Sequence, residues 1–143
     1  MNKNKPEGKV VHVSGKRKEA VSRTTIKEGE GVIRVNRKPL EFFQPIAARM
    51  RVEQALKLAS EHVDLSSINI NVRVNGGGVM GQADAIASSI ARGLVEWSEN
   101  DQLLERYHGY DRTIIAGDYR QTEVHKPGQS SKGPRHKRQK SYR

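Results

Sequence analysis

Residues 68–75 read Ile-Asn-Ile-Asn-Val-Arg-Val-Asn, and residues 76–83 continue as Gly-Gly-Gly-Val-Met-Gly-Gln-Ala. In the first half, β-branched residues alternate with polar ones. This period of two predicts a strand with one buried and one wet face. Beyond the glycines, apolar residues at helical spacing predict a helix: Ala83, Ile86, Ala87, Ile90, Leu94 and Trp97. Small residues dominate this stripe, so the helix can lie close against a sheet.

Upstream of this unit, three segments rich in β-branched residues predict three further strands: Lys9–Ser14, Ala20–Ile26 and Gly31–Val35. The sequence Glu-Gly-Glu-Gly at 28–31 predicts a hairpin turn between the last two of them.

Two more helices are predicted. One follows Pro45, which suits a first helical turn, and its apolar stripe is Val52, Ala55, Leu56, Ala59 and Val63. A short one is predicted around Gln102–Tyr107. The order of three strands, helix, strand and helix predicts an α+β fold, a two-layer α/β sandwich with the helices on one face of the sheet.

The charge of the chain is high and uneven. Lys and Arg number 26 against 16 Asp and Glu, a formal net charge of +10. Residues 1–59 carry a net charge of +8, residues 60–118 carry −5, and residues 119–143 carry +7. Two basic ends around an acidic middle indicate a polyanionic partner, with nucleic acid ahead of a membrane surface.

Several classes of protein are disfavoured. No apolar run approaches the roughly 18 residues of a spanning helix, and no apolar segment follows the basic N-terminus to make a secretory signal. The absence of cysteine excludes disulfides and thiolate metal sites, and a cytoplasmic location is expected. The five histidines are far apart, and no Gly-x-Ser-x-Gly occurs. We therefore expect no enzyme activity, no cofactor, no metal, no membrane contact and no small-molecule substrate.

The glycines at 76–81 fit the pattern Gly-x-Gly-x-x-Gly of dinucleotide-binding proteins. However, they follow the fourth predicted strand, and only about 60 residues remain for the rest of a parallel nucleotide-binding sheet. Two interpretations stay open. The glycines allow a close approach of helix and strand, and their amides and the helix N-terminus hold an RNA phosphate, which Asn75 and Gln82 favour; the two are not exclusive.

The chain is expected to divide into a flexible N-terminus at 1–8, a globular domain at 9–117 and an extended basic tail at 118–143. From Asp118 onward the apolar periodicity disappears, and such a segment cannot offset the entropy of its own ordering. About 25 extended residues span at most roughly 80 Å. The tail is therefore expected to order only on a partner and to reach a site remote from its domain.

Six motifs occur in order along the chain: SGKRK at 14–18, VNRKPL at 35–40, GGGVMGQA at 76–83, IAR at 90–92, YDRT at 110–113, and SSKGPR to KRQKSYR at 130–143. Together they resemble the S-nine family of small-subunit ribosomal proteins, of the archaeal and eukaryotic type. Arg37 departs from the family pattern, which usually has Gly at that position.

The resemblance implies a mixed sheet with helices on one side and a left-handed crossover, like the second domain of ribosomal protein S-five. It also implies a place in the head of the small subunit, among neighbouring head proteins, with the domain on rRNA and the tail reaching peptidyl-site tRNA. The expected tRNA contacts are Lys140, Ser141, Tyr142 and Arg143. The expected rRNA contacts are Lys16, Arg17, Lys18, Arg23, Arg37, Lys38, Gly76, Gly77, Gly78, Gly81, Gln82, Arg112, Arg120, Lys126, Lys132, Arg135, Lys137 and Arg138. A DNA-binding, chromatin-like protein is the alternative, because basic tails serve DNA too.

Overall fold

The structure is a computed structural model, and it describes residues 8–125. The strands are β1 (Val10–Arg17), β2 (Ala20–Glu28), β3 (Ile33–Val35), β4 (Lys38–Pro39) and β5 (Ile68–Asn75). The helices are α1 (Ile46–Ala59), α2 (Val79–Ser98), α3 (Asp101–Tyr110) and α4 (Arg112–Ala116). Short 3-10 turns at Leu40–Phe42 and Leu65–Ser67 precede α1 and β5.

The five strands form one mixed sheet in the order β1-β2-β5-β3-β4. Neighbours pair antiparallel except β3 and β5, which are parallel. In β5 the residues Ile68, Ile70, Val72 and Val74 are buried, whereas Asn71, Arg73 and Asn75 are exposed. The alternation predicted from the sequence is therefore confirmed. The predicted α+β class, with a mixed sheet and helices packed on it, is confirmed as well.

The predicted hairpin between the second and third strands is wrong. β2 and β3 do not pair with each other, because they lie on opposite sides of β5. The loop between them folds over the start of β5. The amides of Glu30 and Val32 donate to the side-chain oxygen of Asn69, at 3.1 and 2.9 Å, and Gly29 N–H donates to the carbonyl of Ser67. The glycines therefore let this loop cross a strand end, a role that local sequence does not distinguish from a hairpin turn.

Helix α2 covers β1 and β2 at very short range. A Cβ on Gly15 of β1 would lie 2.4 Å from the carbonyl oxygen of Ala85, and a Cβ on Gly93 would lie 2.8 Å from Cδ1 of Ile26. Between the layers, the buried hydroxyl of Ser22 donates to the Ala85 carbonyl at 2.6 Å and lies 2.8 Å from the hydroxyl of Ser89. The close approach expected from the small residues of α2 is thus present, and buried hydroxyl groups there are hydrogen-bonded.

The remaining helices close the core. Helix α1 packs against α2, and α3 contacts both of them. Tyr107 of α3 is fully buried, and its hydroxyl donates to the carbonyl of Ala55 at 2.7 Å. Burial raises the pKa of the Tyr107 hydroxyl above its ordinary value. The third helix predicted around Gln102–Tyr107 is confirmed, and it begins and ends slightly beyond those residues.

The variant Gly15→Ala should lower the free energy of unfolding by about 1–3 kcal/mol, because its methyl group has no room against the backbone of α2. The matched control is Gly109→Ala in α3, where a Cβ would meet nothing within 4 Å. The control should be neutral or stabilising by up to about 1 kcal/mol, because alanine is the better helix former. Urea unfolding measures the free energy of unfolding of both variants and of the unmodified protein. Equal values for Gly15→Ala and Gly109→Ala would contradict the close contact between Gly15 and α2.

Candidate nucleic-acid interface

Three of the segments singled out in the sequence meet at one end of the sheet. This end holds the turn between β1 and β2, the turn between β3 and β4, and the glycine loop that follows β5. Antiparallel pairing of β2 with β5 and parallel pairing of β3 with β5 bring them there. We call this end of the sheet the basic edge. It is defined by residues 16–19, 36–38 and 76–78.

At the basic edge, the glycine loop packs against the turn between β1 and β2. Gly76 and Gly77 have φ values of +80° and +66°, and a Cβ on Gly76 would lie 2.6 Å from the carbonyl oxygen of Glu19. Glycine is therefore required at both positions, because φ is positive there and the backbone of the turn between β1 and β2 leaves little or no room for a Cβ. Gly78 differs, because a Cβ there would meet nothing within 4 Å. The expected phosphate contact of this loop stays a prediction, as does that of Gly81 and Gln82, whose side-chain amide donates to the carbonyl of Gly76 at 3.1 Å.

The turn between β3 and β4 adopts a left-handed conformation despite its arginine. Asn36 and Arg37 have φ values of +48° and +70°, as in the two-residue hairpin turns that usually contain Asn-Gly. The side chain of Asn36 accepts from the amide of Val74 at 3.0 Å and donates to its carbonyl at 3.2 Å. These bonds fix the turn against β5, so Arg37 is held exposed at the basic edge.

The polypeptide returns to the same region after α4. The guanidinium of Arg17 donates to the carbonyl of Arg120 at 2.9 Å and pairs with Asp118 at 3.3 Å and with Asp84 at 3.8 Å. Arg120 also pairs with Asp118 through its own guanidinium. The Arg17 side chain is only 14% exposed. Arg17 belongs to the basic edge, but its guanidinium is bound by groups of the protein.

This ion-pair cluster perturbs the carboxyl group at its centre. The hydrogen bond from the side chain of Arg120, then that from its backbone amide, holds the pKa of Asp118 well below its ordinary range, with smaller effects of the charges of Arg120 and Arg17. Because its pKa is depressed in the folded protein, Asp118 stabilises the structure at pH values above the ordinary pKa of an aspartate. That contribution is lost as the pH falls through the depressed pKa.

Other predicted residues lie elsewhere. Arg23, in the middle of β2, projects from the sheet face that the helices leave uncovered. Arg112 is exposed at the first residue of α4, whereas Lys38, exposed in β4, belongs to the basic edge. The remaining basic predictions lie outside the described residues: Lys126, Lys132, Arg135, Lys137, Arg138, Lys140 and Arg143, together with Ser141 and Tyr142.

The uncovered sheet face contains cations that the sequence reasoning missed. Arg23 and Arg37 line an open groove of about 1160 Å³ there, and Lys27, Arg34 and Arg73 line it as well. The alternation of β5 already placed Arg73 on a wet face. Its gathering with Lys27 and Arg34 depends on which strands flank β5, and no local pattern specifies that.

Residues 8–125 contain neither a metal-ligand cluster nor a membrane-spanning helix. No three His, Asp or Glu side chains in this range come together as metal ligands. Nor is any helix of the range both long and apolar enough to cross a membrane.

The fold and the site define a class: a small basic α+β protein whose cationic turns and glycine loop meet at one edge of its sheet, suited to polyanions. A family model described as Ribosomal protein S9/S16 matches residues 15–143. The chain belongs to this ribosomal protein family.

Relatives from Methanococcus maripaludis agree with this assignment. The proteins named small ribosomal subunit protein uS9 from strains C7, C5 and S2 are each 47% identical to this chain over 135 residues. Each alignment covers 94% of this chain and 99% of the relative. The resemblance seen in the sequence motifs is confirmed.

The variant Arg120→Gln should raise the pKa of Asp118 towards its ordinary value of 3.8, because it removes the strongest hydrogen bond to that carboxylate. Arg17→Gln should raise it less, since the charge of Arg17 is the smallest of the causes. The NMR chemical shift of the Asp118 carboxyl carbon, followed as a function of pH, measures this pKa in both variants. Asp64 is an internal control, because hydrogen bonds from Ser66 lower its pKa independently. An Asp118 that titrates at its ordinary value in the unmodified protein would contradict the cluster.

Proposed function

We propose that this chain is a structural constituent of the small ribosomal subunit, that its domain binds small-subunit rRNA in the head, and that its C-terminal tail reaches peptidyl-site tRNA. Membership of the Ribosomal protein S9/S16 family supports the first part of this proposal. The observation that carries the rRNA-binding part is the convergence of two cationic turns and the glycine loop at the basic edge. The proposed location is accordingly the cytoplasmic ribosome, with rRNA and neighbouring head proteins as partners.

The charges at the basic edge favour a polyanion. Within residues 8–125, the side chains of Lys16, Lys18, Arg37 and Lys38 are exposed and form no ion pair. Cations without a carboxylate partner displace counterions from phosphates when they bind, which makes binding strong at low salt. A ribosomal constituent of this kind needs neither a catalytic group nor a cofactor.

The proposed tail contact rests on how the tail starts and on its composition. Arg17 binds Asp118 and Arg120 beside the basic edge, so the tail leaves the domain close to the proposed rRNA contact. Residues 118–143 are proposed as the tail and residues 9–117 as the domain. The last four residues of the tail are Lys-Ser-Tyr-Arg. Arginine grips phosphates through two parallel hydrogen bonds, and tyrosine stacks on bases, so both suit a tRNA backbone.

Filter binding distinguishes the proposal from a DNA-binding role. The full chain should bind a transcript of the small-subunit rRNA head more tightly than a DNA duplex of equal length. Its affinity for the transcript should fall steeply with salt, by about 0.7 to 0.9 logarithmic units per phosphate contact for each decade of salt. Tighter binding to the DNA duplex would support the chromatin-like alternative and contradict an rRNA-binding domain.

Deletion of Lys140–Arg143 should leave the subunit assembled. It should lower the affinity of the peptidyl site for tRNA by about tenfold, because charge-assisted hydrogen bonds are lost. A matched control deletes residues 2–5, which read Asn-Lys-Asn-Lys and also carry two positive charges. The control should leave tRNA affinity unchanged. Toeprinting or nitrocellulose binding with purified ribosomes measures both. Unchanged tRNA affinity in the C-terminal deletion would refute the tail contact.

A further inference from the structure

We propose that the uncovered face of the sheet is a second RNA contact, which binds the sugar-phosphate backbone of folded rRNA through a cationic groove centred on Arg23 and Arg73. This inference rests on the proposed function and extends it from the basic edge to a whole face of the domain. Arg73, Lys27 and Arg34 would then be binding residues that the sequence motifs do not include.

The groove is strongly and one-sidedly charged. Among residues 8–125, its lining includes five cationic side chains, of Arg23, Lys27, Arg34, Arg37 and Arg73, and one carboxylate, that of Glu19. Glu19 lies in the turn between β1 and β2, at the edge of the groove. The residues of β2 and β5 that line the groove are all cationic or neutral. Such a surface fits a chain of phosphates.

The arginines that line the groove differ from most of the others in their partners. Within residues 8–125, all those with a carboxylate partner lie outside the groove: Arg17, Arg49, Arg51, Arg106 and Arg120. The four arginines that line the groove form no ion pair in the same part of the chain. Arg92 and Arg112 also lack a carboxylate partner there, but they lie outside the groove. Within residues 8–125 the groove therefore gathers four of the six arginines that no carboxylate neutralises.

Two of these arginines stand directly opposite each other. Arg23 of β2 and Arg73 of β5 are register partners, and both are exposed. Directly opposed residues have Cβ atoms about 4.5–5.5 Å apart, and like charges in that position destabilise a sheet. One phosphate above the pair would remove the repulsion and accept hydrogen bonds from both guanidinium groups.

The pair is part of a wider array. Arg34 of β3 is the register partner of Asn71, which is two residues from Arg73 on the same face. Same-face neighbours along a strand are about 6.6–6.8 Å apart, and adjacent strands are about 4.8 Å apart. Cations therefore recur across three strands at intervals of several ångströms. A continuous backbone can contact several of them at once, which a single small anion cannot.

The side chains of the groove favour backbone recognition over base stacking. Within residues 8–125, no Phe, Tyr or Trp lines it, and the imidazole of His12 lies 3.0 Å from the hydroxyl of Thr25 in a hydrogen bond. Modules that read single-stranded RNA on a sheet stack bases on aromatic rings, and the described part of this face offers none. Ser14 and Asn71 supply a hydroxyl and an amide that suit ribose 2′-hydroxyl groups. The fitting ligand is the backbone of a structured RNA.

The test compares two double variants of the full chain with the unmodified protein. Arg23→Gln with Arg73→Gln removes two charges from the groove. Lys57→Gln with Arg106→Gln removes two charges from α1 and α3, outside the groove. Affinity for a transcript of the small-subunit rRNA head is measured from 50 to 200 mM salt, and thermal unfolding confirms that each variant is folded.

The groove variant should lower the salt slope by about 1.8, as expected for two lost contacts at about 0.9 each. Over this fourfold salt range, the unmodified protein should lose about tenfold more affinity than the groove variant. The control variant should keep the slope of the unmodified protein. The groove variant should also unfold at the same or a higher temperature, because the repulsion between Arg23 and Arg73 is gone.

The outcomes separate this inference from the proposed function. If the unmodified protein prefers the rRNA transcript and the groove variant keeps the full salt slope, the groove is not an RNA contact, while the proposed function stands. If the unmodified protein shows no preference for the rRNA transcript over DNA, the proposed function itself fails. A groove variant with a lower slope beside an unchanged control supports the inference.

Discussion

The contact between α2 and the first two strands is the interaction on which the rest of the structure depends. It needs a glycine in β1, small residues along α2, and hydroxyl groups that satisfy one another between the layers. Because interiors are close-packed, this arrangement is not easily exchanged for another. It buries Val11 of β1, Ile26 of β2 and the β-branched residues of β5 against the helices, and it leaves Arg23 and Arg73 on the other face.

The same constraint divides the charges into two uses. On the helical side, arginines pair with carboxylates and help to hold segments together, as Arg17 holds Asp118 beside the basic edge. On the uncovered side, Arg23 and Arg73 oppose each other, and neither has a carboxylate partner among residues 8–125. A partly screened ion pair adds little stability at a surface, and an unpaired array costs some. The proposed function accounts for that cost, because rRNA phosphates would neutralise the array.

Much of this could be predicted from local sequence, because local patterns report local structure. The alternation of residues 68–75 and the small-residue stripe of α2 gave the central strand and the helix that packs closely on the sheet. Strand pairing was different. Glu28-Gly29-Glu30-Gly31 has the composition of a hairpin turn, yet Asn69 draws it across the start of β5. The groove was missed for the same reason, since Arg34 and Arg73 become neighbours only once β3 is known to lie beside β5.

Cryo-electron microscopy of small subunits that contain this chain tests the central claim most directly. The account predicts backbone density of rRNA over the uncovered sheet face, with a phosphate within hydrogen-bond distance of Arg23 and Arg73, while α2 remains packed on the other face. A structure in which this face lies open to solvent or against another protein would contradict the account.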